Sequence, residues 1–377
     1  MLEQRVQSGS LAFTPNIENT NISSIEPLKP PIELKREIVN RSASLIANTR
    51  QEIRDVLHGK DTKRLVMIVG PCSIHDPGSA IEYGERLFGL KDRLADELVI
   101  VMRTYFEKPR TTVGWTGLVY DPHLDGSSDA GTGLAVSRKL LADINGAGLP
   151  CAVEFLDPNT PQYFADLVSW GAIGARTTES QVHRQLVSGL SMPVGFKNST
   201  EGDMKVAVDA MVTATSPHTF FGIDVNGQAA VVKTNGNPDT HIVLRGGNKG
   251  TNYDEASMAE AVSLIQERNL LAESSRPVMI DCSHGNSAKD HRKQSLVVKS
   301  VLPGGNHTMG FMIESNIFEG RQNWVAGRQL QPGISITDAC IGWEETERLL
   351  FECARMVQPR RYAVTLLGKN GKANHLM

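Results

Sequence analysis

The chain has 377 residues, 40% of them hydrophobic and 21% charged, with a formal net charge of −3 at pH 7. That length suits one barrel of roughly 250 residues plus extensions, or two ordinary domains. The slightly negative balance argues against nucleic acid or an anionic membrane as partner, and no apolar stretch reaches the roughly 18–20 residues that a membrane span requires. The opening MLEQRVQSGSLAF lacks the apolar core of a signal peptide, so a cytoplasmic location is expected. Five cysteines, Cys72, Cys151, Cys282, Cys340 and Cys353, are odd in number and irregularly spaced, which favours reduced thiols over a disulfide framework.

Residues 1 to about 30 are polar and rich in Asn, Ser and Pro, an arm more than a core element. The run 32–59 has helical composition. Ile38, Val39, Leu45, Ile46, Ile53, Val56 and Leu57 fit one stripe, and Gly59 is placed for a C-cap. This helix is expected to cover the N-terminal end of the main domain or, with the arm, to reach a neighbouring subunit. Residues 1–60 therefore read as an extension for assembly or regulation, and 61–377 as the main domain.

From residue 64 onward, apolar runs alternate with amphipathic stretches. The runs are LVMIVG (65–70), ELVIVMRTYF (97–106), PCAVEFLDP (150–158), WGAIGART (170–177), PVGFKN (193–198), HIVLRGG (241–247), PVMIDCSH (277–284) and MGFMIES (309–315). A continuous apolar run bounded by breakers reads as a strand buried on both faces. The stretches 78–96, 131–148, 160–170, 178–190, 203–215, 253–271 and 287–300 read as the returning helices, with a final helix at 344–358. Eight such strands make a (β/α)8 barrel, whose chemistry gathers at the carboxyl ends of its strands. Each run ends on a polar or ionisable residue: Cys72, Arg103, Glu154, Arg176, Lys197, Arg245, His284 and Glu314.

Two segments break the rhythm. Residues 107–130 are too long for an ordinary connection, and long loops in compact domains are commonly functional. Between the fifth and sixth barrel strands, HTFFGIDV and QAAVVKT flank Asn226-Gly227. That dipeptide predicts a β-hairpin over 218–234 with a type I′ turn. A hairpin has no place in a plain barrel, so it is an insertion suited to assembly or regulation.

Cys72, His284, Glu314 and Asp338 offer a sulfur, an imidazole and two carboxylates, a set suited to one divalent ion such as Mn²⁺, Fe²⁺, Co²⁺ or Zn²⁺. The plainer alternative is a buried thiol, a hydrogen-bonded imidazole and surface acids. Arg103, Lys108, Arg176, Lys197 and Arg245 form a cationic set. Such charges at the ends of buried strands are costly unless paired or holding an anion. Salt bridges to Glu154 or Glu314 would explain one or two, and a multiply anionic ligand would explain them together. His75, His123, His183 and His241 read as structural, and Cys282 as a core thiol.

Several of these segments resemble a known family. GPCSIHDP (70–77), MRTYFEKPRTTVGWTGL (102–118), GARTTESQVHR (174–184), PVGFKNSTEGD (193–203), IVLRGG (242–247), DCSHGNSAKDHRKQ (281–294) and IESNIFEGRQ (313–322) are similar to 3-deoxy-D-arabino-heptulosonate 7-phosphate (DAHP) synthases. The likeness is to the type I, feedback-regulated bacterial and fungal group, from about residue 30 onward. The related octulosonate 8-phosphate synthases carry KANRSS where this chain has KPRTT, which favours a four-carbon aldose phosphate. The resemblance implies condensation of phosphoenolpyruvate with erythrose 4-phosphate and water, releasing phosphate, at the entry to the shikimate pathway.

By the same resemblance, Cys72, His284, Glu314 and Asp338 would bind the metal, with Cys72 and His284 essential to catalysis and Lys108 the proton donor. Arg103, Lys108, Arg176, Lys197 and Arg245 would hold phosphoenolpyruvate, Arg110 and Thr111 the aldose phosphate, and Glu154 and Ala175 would also bind substrate. An aromatic amino acid would inhibit from a separate site at Pro161, Gln162, Leu190, Ser191, Phe220, Gly222 and Val232. The family's phenylalanine-sensitive members tend to carry Ser where this chain has Gly222, and its tyrosine-sensitive members Gly. Tyrosine is therefore favoured as inhibitor, and a homodimer or homotetramer as the assembly. Two other classes compete: another metal-dependent barrel enzyme acting on a phosphosugar, and a non-catalytic phosphoester-binding regulatory barrel.

Overall fold

The computed structural model describes residues 17–112, 114–303, 307–325 and 329–370, with side chains of the last helix as far as Val357. The first sixteen residues of the expected arm and the last seven of the chain lie outside the described residues. The barrel strands are β1 (Leu65–Gly70), β2 (Leu98–Arg103), β3 (Cys151–Glu154), β4 (Trp170–Ile173), β5 (Val194–Lys197), β8 (Thr240–Leu244), β9 (Val278–Asp281) and β10 (Thr308–Glu314). The inserted hairpin is β6 (Thr219–Ile223) and β7 (Ala229–Lys233). The barrel closes in the order β1-β10-β9-β8-β5-β4-β3-β2, with every pairing parallel. Each expected apolar run supplies one of these strands.

Every residue of the eight barrel strands is buried, as the unbroken apolar runs require. Alternate residues divide between two cores. Val66, Ile68, Val99, Val101, Ala152, Ala172 and Val243 pack in one cluster. Leu65, Met67, Val69, Ile100 and Met102 join the other, with helix residues such as Leu87 and Leu141. Helices α1 (Pro31–Glu37) and α2 (Ala43–Leu57) precede β1. Ile53, Val56 and Leu57 of α2 pack with the first cluster, so this helix does cover the N-terminal end. Gly310 of β10 lies directly against β1, where a Cβ would fall 1.8 Å from the Val66 carbonyl oxygen.

The structure departs from the sequence expectations where tertiary contacts decide. The expected single helix over 32–59 breaks at residues 38–42. There Arg138 Nε donates to the Ile38 carbonyl, while Asn40 accepts from the Ser42 N–H and donates to the Asp166 carbonyl. The segment expected as a helix over 160–170 is α5 (Thr160–Phe164) followed by a 3-10 turn, Ala165–Leu167. The helix expected over 287–300 begins at Gln294, and the last helix runs from Trp343 to Asn370. Helices α3 (Pro77–Lys91), α4 (Ala130–Gly146) and α8 (Glu255–Glu267) start where Asp76, Asp129 and Asp254 cap free backbone N–H groups. The hairpin lies where expected, but its turn is not type I′: of Asn226 and Gly227, only Gly227 has positive φ, at 75°. Gly227 N–H donates to the Asp224 carbonyl, and the Asp224 carboxylate accepts from the N–H groups of Asn226 and Gln228. That is a longer turn ending on a left-handed glycine.

Candidate active site

The polar residues that end the apolar runs converge over the carboxyl ends of the strands. Arg103, Glu154, Lys197 and Glu314 are the last residues of β2, β3, β5 and β10, and Arg245 follows β8 directly. Cys72, Arg176 and His284 lie two or three residues past β1, β4 and β9. They surround a cavity of about 240 Å³, whose wall includes Arg103, Lys108, Arg110, Thr111, Glu154, Ala175, Arg176, Lys197, Arg245, His284 and Asp338. Cys72 and Glu314 lie buried beneath it.

Ligand atoms of Cys72, Glu314 and Asp338 all lie within 4.8 Å of one another. His284 stands beside them, with Nε2 3.9 Å from Glu314 Oε1. Its other nitrogen, Nδ1, is 2.9 Å from Asp281 Oδ2. Nδ1 also lies 2.9 Å from Ser283 Oγ, and a proton held there between the hydroxyl and the carboxylate leaves the Nε2 lone pair on the Glu314 side, the support usual for a metal-binding imidazole. His284 takes φ of 56°, unusual for a residue with a side chain. A thiol, two carboxylates and an imidazole concentrated in this space fit one divalent cation. Burial and the Glu314 charge push the Cys72 thiol up to about 11, against the pull of Lys108, so a second positive charge is what would favour its thiolate.

The cations divide into two groups. Arg103 is fully engaged within the protein. It donates to Glu314 Oε1 at 2.9 Å and to the carbonyls of Pro71 and Cys72, and its guanidinium lies 3.7 Å from the centre of the Tyr105 ring. Lys197 Nζ lies 2.9 Å from Asp281 Oδ2, and Lys108 Nζ lies 2.9 Å from Cys72 Sγ and 3.7 Å from Asp338 Oδ2. Burial alone would lower the Lys108 ammonium, but Cys72, Glu314 and Asp338 outweigh it and hold it above its ordinary range. Arg176 and Arg110 form no ion pair among the described residues, and there the Arg245 guanidinium donates to the neighbouring Gly246 carbonyl alone, at 3.2 Å. Burial and the nearby Arg176 charge hold Arg245 below its usual value. Two guanidinium groups facing one cavity without carboxylate partners have the chemistry to hold an anion. Gly174 makes room for the Glu154 carboxylate, since a Cβ there would meet Oε1 at 2.2 Å.

Sequence reasoning missed Asp281. It is fully buried, and its oxygens meet Lys197, His284 and Ser283. Burial would raise its carboxyl, but the His284 and Lys197 charges hold it well below the carboxylate range. The signal was an acid closing the apolar run VMID, overlooked in favour of the histidine three residues on. Thr200 and Lys289, which also line the cavity, carried no pattern that would single them out.

The residues expected to form an inhibitor site lie apart from this cavity. Phe220, Gly222 and Val232 share one face of the hairpin: a Cβ on Gly222 would point at Val232 Cγ2, 3.1 Å away, with Phe220 at 4.0 Å. Pro161 and Gln162 are on α5, which packs against α1. Ile32 at the start of α1 donates its N–H to the Val225 carbonyl beside the hairpin turn. Leu190 and Ser191 follow α6 (Gln181–Val187), near the foot of β7, where Ser188 Oγ lies 2.6 Å from Thr234 Oγ1.

Comparisons with known proteins give the fold and the site a lineage. The family model described as the DAHP synthetase I family matches residues 36–351. The phenylalanine-sensitive phospho-2-dehydro-3-deoxyheptonate aldolase of Escherichia coli K12 is 51% identical over 350 residues, 91% of this chain and 98% of its own length. The tyrosine-sensitive enzyme of the same strain is 49% identical over 344 residues, covering 89% and 95%. The structure of a phospho-2-dehydro-3-deoxyheptonate aldolase from Francisella tularensis SCHU S4 superposes with a TM-score of 0.86 at 45% identity, over 90% of this chain and 99% of that one. With a family match across most of its length and relatives near half identity, the chain belongs to the DAHP synthetase I family and has 3-deoxy-7-phosphoheptulonate synthase activity.

Proposed function

We propose that the cavity at the strand ends is where this chain joins phosphoenolpyruvate to erythrose 4-phosphate, and that its residues divide the work between two anionic substrates and one divalent ion. The observation that carries this reading is the pair of guanidinium groups, Arg176 and Arg245, facing the same cavity as Lys108 and the thiol–carboxylate cluster. Arg176, Arg245 and Lys197 clamp phosphoenolpyruvate, Glu154 and Ala175 shape its wall, and Arg103 braces the floor. Arg110 and Thr111 take the phosphate of the aldose. Cys72, His284, Glu314 and Asp338 hold the ion, which when bound supplies Lewis-acid polarisation of the aldehyde. The enol carbon attacks the aldehyde carbon, and Lys108 Nζ gives its proton to the developing alkoxide. Water adds to the neighbouring carbon, and the C–O bond to phosphate breaks as phosphate leaves. Holding both anions at reacting distance supplies much of the rate. Among the described residues no helix is long and apolar enough to cross a membrane, and the chemistry belongs in the cytoplasm with its phosphorylated substrates.

We also infer regulation by tyrosine. Relatives named for phenylalanine and for tyrosine match almost equally well, so overall identity does not choose between them. Gly222 leaves its hairpin face open beside Phe220 and Val232, giving a phenolic hydroxyl room that a serine side chain would take. The outer hairpin face and the arm expose Phe221, Val231, Ile17 and Ile25, and such apolar surface suits a homodimer or homotetramer.

Three experiments test this division. Phosphate release should require both substrates, and Cys72→Ala should lose bound metal, read by elemental analysis, with turnover falling about 100-fold or more. A metal-free variant with full activity would remove the ligand assignment. Arg110→Ala should raise KM for erythrose 4-phosphate about 10-fold or more, with Arg176→Ala and Arg245→Ala acting instead on phosphoenolpyruvate. Equal effects on both substrates would contradict the split. Inhibition by each aromatic amino acid should favour tyrosine in the natural chain and shift toward phenylalanine in Gly222→Ser. An unchanged preference would clear Gly222 of any role in specificity.

A further inference from the structure

Glu107 immediately precedes Lys108, yet it points away from the cavity and is fully buried. Its Oε1 accepts from the Asp157 N–H at 3.0 Å and the Tyr120 hydroxyl at 3.1 Å. Its Oε2 accepts from the Leu156 N–H and the Thr160 hydroxyl, both at 3.2 Å. One carboxylate thus joins the loop after β2 to the loop after β3 and to the first residue of α5. The segment between residues 107 and 117 is also closed on itself. Glu107 and Gly117 form an isolated antiparallel bridge, and the Lys108 N–H donates to the Thr116 carbonyl at 2.9 Å. Gly117, at φ of 118°, is needed at that closure, since a Cβ there would sit 2.0 Å from the Phe106 carbonyl oxygen. This small loop carries Lys108, Arg110 and Thr111, all of which line the cavity. Its attachment to the barrel on the β3 side runs through the Glu107 side chain.

We propose that Glu107 is a positioning residue for the reaction: its carboxylate latches the Lys108–Thr111 loop to the β3–α5 connection and so fixes where Lys108 and Arg110 stand over the site. The inference rests on the functional reading above for what those two residues do. The latch is the ionised carboxylate, whose two oxygens each receive a different backbone N–H; burial pushes this carboxyl up to about 7 against the pull of those N–H groups. An amide cannot replace it. In either orientation of a glutamine, the NH2 group would face a backbone N–H that also requires an acceptor. Misplacing a catalytic group by about 1 Å can cost on the order of 100-fold in rate.

The test is Glu107→Gln in the full-length, metal-loaded enzyme. The expected result is a kcat about 10- to 100-fold lower and a raised KM for erythrose 4-phosphate, with KM for phosphoenolpyruvate changed less. Metal content should stay at the wild-type level. Tryptic cleavage after Arg110, which needs no substrate, should become faster than in the wild type. Thr160→Val and Tyr120→Phe each remove one donor and should move the same readouts less far, and they carry the test if the glutamine variant does not fold. Wild-type kinetics in a folded Glu107→Gln would overturn the latch. So would a lower kcat with both KM values and the cleavage rate unchanged, which is the mark of a smaller active fraction. If the natural enzyme itself fails to release phosphate from the two substrates, the functional reading falls, and the cleavage rate still reports on the latch.

Discussion

The site depends on one buried carboxylate. Asp281 ends β9 with no exposure to solvent, and its Oδ2 lies 2.9 Å from both Lys197 Nζ and His284 Nδ1. A lone charge at this depth would be prohibitive, and two cationic or proton-donating partners with Ser283 make it tolerable. The consequences run in two directions. Toward β5 the pair fixes Lys197 in the cavity wall that also carries Arg176 and Arg245. Toward the loop after β9 the carboxylate stands, together with Ser283 Oγ, against Nδ1 of His284, beside the cluster of Cys72, Glu314 and Asp338. Arg103 pairs with Glu314 in the same way, so two buried ion pairs tie β5 to β9 and β2 to β10 at the rim. The neighbouring backbone is tied in as well, since Asn286 donates to the carbonyls of both Leu244 and Asp281.

Only a closed parallel barrel gathers these charges. Each strand contributes at most one or two residues, from positions more than two hundred residues apart in the chain. The apolar alternation that builds the two cores also drives all eight carboxyl ends to one rim. The hairpin obeys the opposite rule. Its strands alternate between exposed and half-buried, one face carries Phe220, Gly222 and Val232, and Phe221 projects from the other at 91% exposure. The proposed chemistry thus falls on the buried element, and the proposed surface for an inhibitor or further copies on the exposed one.

Much of this was legible in the sequence because burial on both faces leaves an unmistakable mark. Eight apolar runs gave eight strands, and the polar residue closing each run pointed to the rim. What was not legible depends on contacts distant in the chain. The break at residues 38–42 is set by Arg138 and Asp166, a hundred or more residues away. The hairpin turn follows the Asp224 side chain more than the Asn-Gly pair. Asp281 and Glu107 are single acids beside more conspicuous neighbours. Their weight comes from being buried with several donors, which no local pattern reveals.

The central claim is that Asp281 organises the metal side and the anion side together. Metal titration of Asp281→Asn by calorimetry, with thermal melting to establish that the variant is folded, tests it most directly. The substitution keeps the shape but removes the charge and puts either an oxygen or an NH2 group where both partners need an acceptor. The account predicts about 10- to 100-fold weaker metal binding, with phosphoenolpyruvate binding weakened in the same protein. A folded variant that binds metal and phosphoenolpyruvate as the natural chain does would contradict it.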